Sequence, residues 1–354
     1  MKNIADIISE VCQATHVPMV EAVFGDAGID AVFQVMDTVH ALYQHVDPER
    51  IGGQVIVFKV AYPGNQGAPS PVGPAADFAG LANEVVGDLC FEVAADGRPY
   101  PYALGTVELE TLASTSVVYH YQGANEEFLA GSQRKSVPRL DKSARSQFSV
   151  PTFSNLRDAL QNYAIENVKE STCYIFSQVW HDTNRLFLKA GPESIMRNSL
   201  TQFLRNRIGV DHDVEPEQNV NEQNPVDIRV KPQFSNNRLM LIEIKWLGDS
   251  VDMSDGHITV RHRDSRARSG VYQLAGYLDE QRKFAPTHVI HGYYVIIDGR
   301  RRNLPERAVT GATITRENGL YYEHQAISFD PSPHLTRIDF DDPYRMFARP
   351  VCCD

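Results

Sequence analysis

Asp227, Glu243 and Lys245 are the residues of this sequence whose types and spacing best suit chemistry. On a strand from Leu239 to Leu247, side chains alternate between faces. Met240, Ile242, Ile244 and Trp246 then form one apolar row, while Glu243 and Lys245 share the other face between Leu241 and Leu247. Leucines on both sides place the two charges in a partly dry cleft. On the preceding strand Val226, Ile228 and Val230 share a face and leave Asp227 on the opposite one. Ser235-Asn236-Asn237 is turn-forming, and a hairpin centred near Ser235 sets Asp227 opposite Glu243. Two carboxylates that close repel unless a cation joins them. Hard oxygen ligands suit Mg²⁺ or Mn²⁺. Such an ion lowers the pKa of bound water, and an adjacent lysine orients that water or offsets transition-state charge, which points to phosphodiester hydrolysis.

The elements that must position these residues follow from periodicity. The sequence predicts a helix over Phe153–Val168 and an apolar stretch over Thr172–Trp180. A helix over Pro192–Arg207, a strand around Val214, and the strands Val226–Val230 and Leu239–Leu247 come next. A helix over Ser269–Lys283 and a strand over His288–Ile297 complete the series. This order is α/β. Upstream, Ile4, Ile7, Ile8 and Val11 have helical spacing, as does Val32–Leu42. Val55–Val60 reads as a strand, Tyr62–Pro74 as a long loop and Val107–Tyr121 as strands. The polar, basic, poorly periodic segment Ser132–Ser149 marks a boundary between a mixed α+β domain, 1–148, and a domain at 149–354. No catalytic motif lies in the first.

Pro225-Val226-Asp227 followed by Glu243-Ile244-Lys245, on adjacent strands after a helix, resembles the signature of the PD-(D/E)xK nuclease superfamily. The resemblance covers roughly 191–297. It implies a restriction-endonuclease-like fold, a central mixed sheet flanked by helices, with Mg²⁺ (or Mn²⁺) held by Asp227, Glu243 and the backbone carbonyl of Ile244. Glu193 lines up with Met196, Leu200 and Phe203 at helical spacing, so an acid sits at the inward edge of the apolar stripe. Family members often place a metal-binding or water-holding Glu on this helix; complementing the helix dipole is the alternative role. Gln273 and Tyr277, four apart and on one helix face, resemble the QxxxY motif of the RecB-like branch, in which Gln supports the active site and Tyr contacts substrate. The alternative is an exposed Gln beside a half-buried packing Tyr. In Arg261–Arg268, which includes Arg266 and Arg268, arginines either grip the nucleic-acid backbone or belong to a solvated loop. Arg300-Arg301-Arg302 reads as a solvated turn.

The whole chain bounds these readings. Its 354 residues suit two domains, and 42% hydrophobic with 22% charged residues is the make-up of an ordinary globular protein. A net charge of -11 argues against a broadly nucleic-acid-binding surface, so any contact with DNA, preferred here over RNA, is local or supplied by a partner. The N-terminal domain is the expected seat of partner binding, sensing or homo-oligomerisation. No stretch approaches the roughly 20 apolar residues of a membrane span, and the acidic N-terminus is unlike a signal peptide. A cytoplasmic protein with no membrane contact is therefore expected. Five scattered cysteines, Cys12, Cys90, Cys173, Cys352 and Cys353, offer neither zinc spacing nor a disulfide framework, and Cys352-Cys353-Asp354 reads as a free tail. GxxxxGK[ST], GxGxxG and GxSxG motifs are absent. The histidines lack metal spacing; His212, between Asp211 and Asp213, is placed to assist near the site. Two readings remain: a metal-dependent nuclease, or a nucleic-acid-binding or assembly protein that retains the nuclease fold without turnover.

Overall fold

The computed structural model describes residues 4–48, 51–62, 72–81, 87–103, 108–123, 125–138, 145–149, 153–221, 224–233, 238–286 and 288–354. The turn at 235–237 and most of the 62–74 loop lie outside them. The chain is a mixed α/β protein with two mixed sheets flanked by helices, and it divides into compact units at Met1–Ser154 and Asn155–Asp354.

The first unit opens with α1 (Ile4–Phe24) and α2 (Asp26–His45). There follow β1 (Gln54–Val60), the short α3 (Phe78–Leu81), β2 (Leu89–Val93), β3 (Pro99–Pro101), α4 (Leu109–Ala113), β4 (Ser116–Gln122), β5 (Asn125–Ala130) and β6 (Gln133–Ser136). The sheet order is β3-β2-β1-β4-β5-β6. Alternation along β1 gives each face its own core: Val55 and Val57 pack with Val35, Val39 and Leu42 of α2, while Ile56 and Phe58 pack with Ala113 of α4. The predicted strand segment 107–121 is corrected in its first half. Leu109–Ala113 is helical and buries only Ala113, so the burial that would reveal a period is missing.

The second unit holds all but the first two residues of α5 (Phe153–Tyr163), which continues as a π-turn over Ala164–Val168, α6 (Tyr174–Ser177), β7 (Leu188–Lys189), α7 (Glu193–Ile208), β8 (His212–Asn221), β9 (Asn224–Pro232) and β10 (Arg238–Val251). β11 (Ile258–His262), α8 (Asp264–Phe284), β12 (Val289–Asp298), α9 (Arg316–Leu320), α10 (Pro333–Thr336) and β13 (Tyr344–Phe347) follow. The main path is β13-β12-β10-β9-β8, with β7 and β11 also pairing β10. β9 runs antiparallel to β10, and β12 runs parallel to it. β10 is buried along its whole length. Its Leu239, Leu241 and Leu247 pack with Ala267, Val271, Leu274 and Leu278 of α8. That is the face carrying Glu243 and Lys245, so α8 roofs the charged pair.

Three other expectations change. Arg261–Arg268 is no loop: β11 ends at His262 and α8 begins at Asp264. The Arg300–Arg302 segment is not a solvated turn, since Arg300 and Arg301 are each 4% exposed, with Arg300 held by Asp298 and Asp264 and Arg301 by the Ala348 carbonyl. The 352–354 tail is tied down, with Cys353 buried and Asp354 paired to Arg185. No helix among the described residues is long and apolar enough to cross a membrane.

Candidate active site

The β9–β10 ladder pairs Met240 with Val230, Leu241 with Arg229 and Ile242 with Ile228. One further step in this register sets Asp227 opposite Glu243, but the ladder ends before it. The next exposed rung is closed by a side chain instead: Asp227 Oδ2 accepts from the Ile244 N–H at 2.8 Å. Asp227 therefore both ends the strand pairing and fixes the backbone between Glu243 and Lys245.

All three central residues are buried, Asp227 at 7%, Glu243 at 1% and Lys245 at 2% exposure. The Lys245 ammonium donates to Glu243 Oε1 and, at 3.2 Å, to the Ile244 carbonyl. It also stands 3.8 Å from Glu193 Oε1. Glu193, the first residue of α7, is half-buried, and its other oxygen faces Arg266 Nη2 at 3.4 Å. Burial pushes the Glu243 carboxyl up to about 8, with the negative charge of Asp227 adding to the rise and Lys245 opposing it. Burial likewise raises Asp227, against the pull of the Ile244 N–H. Glu243 Oε2 is buried with no hydrogen-bond partner, and a buried acceptor left unmet costs on the order of 1–3 kcal/mol.

The QxxxY pair bonds to itself and to β9. Gln273 Nε2 donates to Tyr277 Oη at 2.6 Å, and Tyr277 donates to the Pro225 carbonyl at 3.3 Å, two residues before Asp227. Gln273 is exposed, whereas Tyr277 is 4% exposed, with its hydroxyl turned to the protein. Arg266 reaches the cluster. Arg268, two positions on and about 200° around the helix, is exposed and has no described contact with it. His212 does not assist: it pairs with Pro232 at the far end of the β8–β9 ladder, and its ring meets the Ile208 carbonyl.

Four residues of this neighbourhood escaped sequence reasoning. Arg197, one turn after Glu193, donates to Asp227 Oδ1 at 3.2 Å and pairs with Glu217. Its i,i+4 relation to Glu193 was the available signal. Glu217 lies on β8 between the rungs Pro216–Ile228 and Gln218–Val226, opposite Asp227. Gly270 lets α8 come close: a Cβ there would stand 2.3 Å from Tyr294 Oη and 2.7 Å from Lys245 Cγ. Tyr294, beside Glu243 on β12, donates to the Ala267 carbonyl at 2.8 Å.

The donor set suits a hard divalent cation. A positive charge, the Lys245 ammonium, already rests on Glu243 and the Ile244 carbonyl, and Glu243 Oε2 is unmet. Among the described residues, no three His, Cys, Asp or Glu side chains stand together closely enough to hold a metal as arranged. Lys245, Arg197 and Arg266 are interleaved among the acids. Comparison with known proteins finds no matching family model, curated protein or solved structure.

Proposed function

We propose that the second unit is a metal-dependent nuclease of restriction-endonuclease-like fold that hydrolyses phosphodiester bonds, with DNA its expected substrate. The observation that carries this reading is the buried Glu243, whose second oxygen is unmet while its first, together with the Ile244 carbonyl, already accepts from an ammonium. Asp227, Glu243 and the Ile244 carbonyl would hold Mg²⁺ or Mn²⁺, with Glu193 at the rim. The bound ion supplies Lewis acidity and a water of lowered pKa. Lys245, released from Glu243, orients the attacking water and neutralises charge growing on the phosphate oxygens. Gln273 and Tyr277 hold the start of β9, and Arg266, against Glu193 at the rim, offers a guanidinium for a phosphate. A role in bacterial or archaeal genome defence, with the first unit recruiting a partner, sensing a trigger or assembling copies, rests on the family resemblance alone.

One observation favours the second reading, a nuclease-like protein that binds or assembles without turnover: each acid of the cluster already has a cation from the chain itself. The test is cleavage of linear, circular and single-stranded DNA, with RNA alongside, by wild type and Lys245→Ala in Mg²⁺, Mn²⁺ and EDTA. Cutting that needs both metal and Lys245 is expected. Absence of both cutting and metal binding would leave the non-catalytic reading standing.

A further inference from the structure

We propose that Arg197 is a resident substitute for the divalent cation, holding Asp227 while the metal position is empty and withdrawing onto Glu217 when a metal enters. The proposal rests on the nuclease reading and adds to it a regulation of the same site. Arg197 divides its guanidinium between two carboxylates, one terminal nitrogen on Asp227 Oδ1 at 3.2 Å and the other on Glu217. Its side chain is 15% exposed and its Nε is buried with no partner. The guanidinium is therefore under-used. A side-by-side pair with Glu217 through Nε and Nη2 would employ the idle Nε and keep the same number of bonds as the present division.

The two acids are not equivalent. The Asp227 side chain is 8% exposed and shares its patch with Glu243, whereas the Glu217 side chain is 58% exposed. Removing Arg197 from Asp227 takes the guanidinium from a buried carboxylate that keeps the Ile244 N–H and the more distant charge of Lys245, a cost that another cation offsets. Removing it from Glu217 costs little, because water replaces it. Asp227 thus keeps its arginine when no metal is bound, and a divalent ion held by Asp227 would supply the charge that lets it go. Glu217 is fitted to receive it. Glu217 has a φ of 50° within a strand, between the rungs Pro216–Ile228 and Gln218–Val226 that flank Asp227, and a left-handed backbone at a residue other than glycine costs on the order of 1–2 kcal/mol. That strained residue places its carboxylate against Arg197.

The test is Mn²⁺ titration of the full chain by calorimetry, with metal-free thermal melts in parallel, for wild type, Arg197→Met and Glu217→Gln. Arg197→Met is expected to bind Mn²⁺ about tenfold more tightly, because the competing cation is gone, and to melt at a lower temperature without metal. Glu217→Gln is expected to bind it roughly threefold more weakly, since the retreat is lost. If wild type binds Mn²⁺ and Arg197→Met binds it no more tightly, Arg197 only braces α7 against β9; the proposal falls and the nuclease reading stands. If neither wild type nor variant binds Mn²⁺ at millimolar concentration, both fall together. Should Arg197→Met fail to fold, an unchanged Mn²⁺ affinity in Glu217→Gln overturns the proposal by itself.

Discussion

Each unit buries a glutamate on a strand, and the two are treated in opposite ways. Glu126 of β5, 8% exposed, accepts from the Tyr119 hydroxyl, the Ser146 hydroxyl and the Gln147 N–H, each at 2.6 Å. Tyr119 in turn meets Tyr43 at 3.1 Å. Both oxygens of Glu126 face donors, and the segment 146–147 is thereby fastened to the sheet. Glu243 of β10, 1% exposed, has one oxygen on Lys245, the other unmet, and the charge of Asp227 close by. Burial of a carboxylate is therefore no mark of chemistry by itself. Demand left unsatisfied beside other like charges is the mark, because a proton or an added metal cation is needed to remove it.

The contrast predicts two different mutant phenotypes. Glu243→Gln is expected to reduce cleavage by about 10³-fold or more, as removal of a group acting on the reacting centre does. Its metal-free melting temperature should hold or rise, because a neutral amide replaces a costly buried acid. Glu126→Gln is expected to do the reverse. Its amide nitrogen would confront donors, losing on the order of 3 kcal/mol, read as a lower urea midpoint with Mn²⁺ affinity unchanged. A loss of stability in Glu243→Gln as large as that in Glu126→Gln would erase the distinction.

The antiparallel register of the strands that carry Asp227 and Glu243 was legible because strand alternation is rigid: a one-residue slip would reverse every side chain, and the register found is centred at 235, though the ladder stops one rung short of that pair. The start of α8 was not. Its first two turns, Asp-Ser-Arg-Ala-Arg-Ser-Gly, bury only Ala267 and Gly270, and residues that small give no hydrophobic period. Gly270 itself is required by Tyr294 and Lys245, neither of them near it in sequence. Arg197 carries no local signal for Asp227, its partner thirty positions on. Arg300 and Arg301 read as solvated because nothing local shows that Asp298, Asp264 and the Ala348 carbonyl close around them.

Gly270→Ala attacks the support of the unsatisfied site and leaves its charges alone. The new methyl has to displace Tyr294 Oη and the stem of Lys245. Overpacking of this kind costs about 1–3 kcal/mol, and a displaced lysine is expected to lower kcat by roughly 30-fold with little change in KM. A wild-type kcat in this variant would mean that Lys245 needs no fixed geometry. The pH dependence is milder. The Glu243 carboxyl keeps its proton up to about 8 in the folded chain, whereas the unfolded chain has already released it. Metal-free stability contributed by this group therefore falls as pH rises from the ordinary carboxylate range toward 8. Metal must displace that proton, so Mn²⁺ affinity is expected to rise about tenfold per pH unit below 8 and level off above it. Calorimetry in buffers of different ionisation enthalpy counts the proton released, and a flat profile would put the ion elsewhere.

The smallest effect separates two roles for Tyr277. Its ring is packed and 4% exposed, while its hydroxyl accepts from Gln273 and donates to the Pro225 carbonyl at the start of the strand that carries Asp227. Tyr277→Phe keeps the ring and removes only those two bonds. Gln273 is exposed and finds water instead, so the loss is about 1 kcal/mol. If the hydroxyl acts by holding β9, the slack reaches Asp227: Mn²⁺ binding should weaken a few-fold and kcat fall by a similar factor, with KM for DNA unchanged. If it meets substrate, as the resemblance to QxxxY implies, KM should rise and the Mn²⁺ affinity stay put. The hydroxyl's present bond to Pro225 favours the first outcome, because contact with substrate would require that bond to break and a buried ring to turn outward.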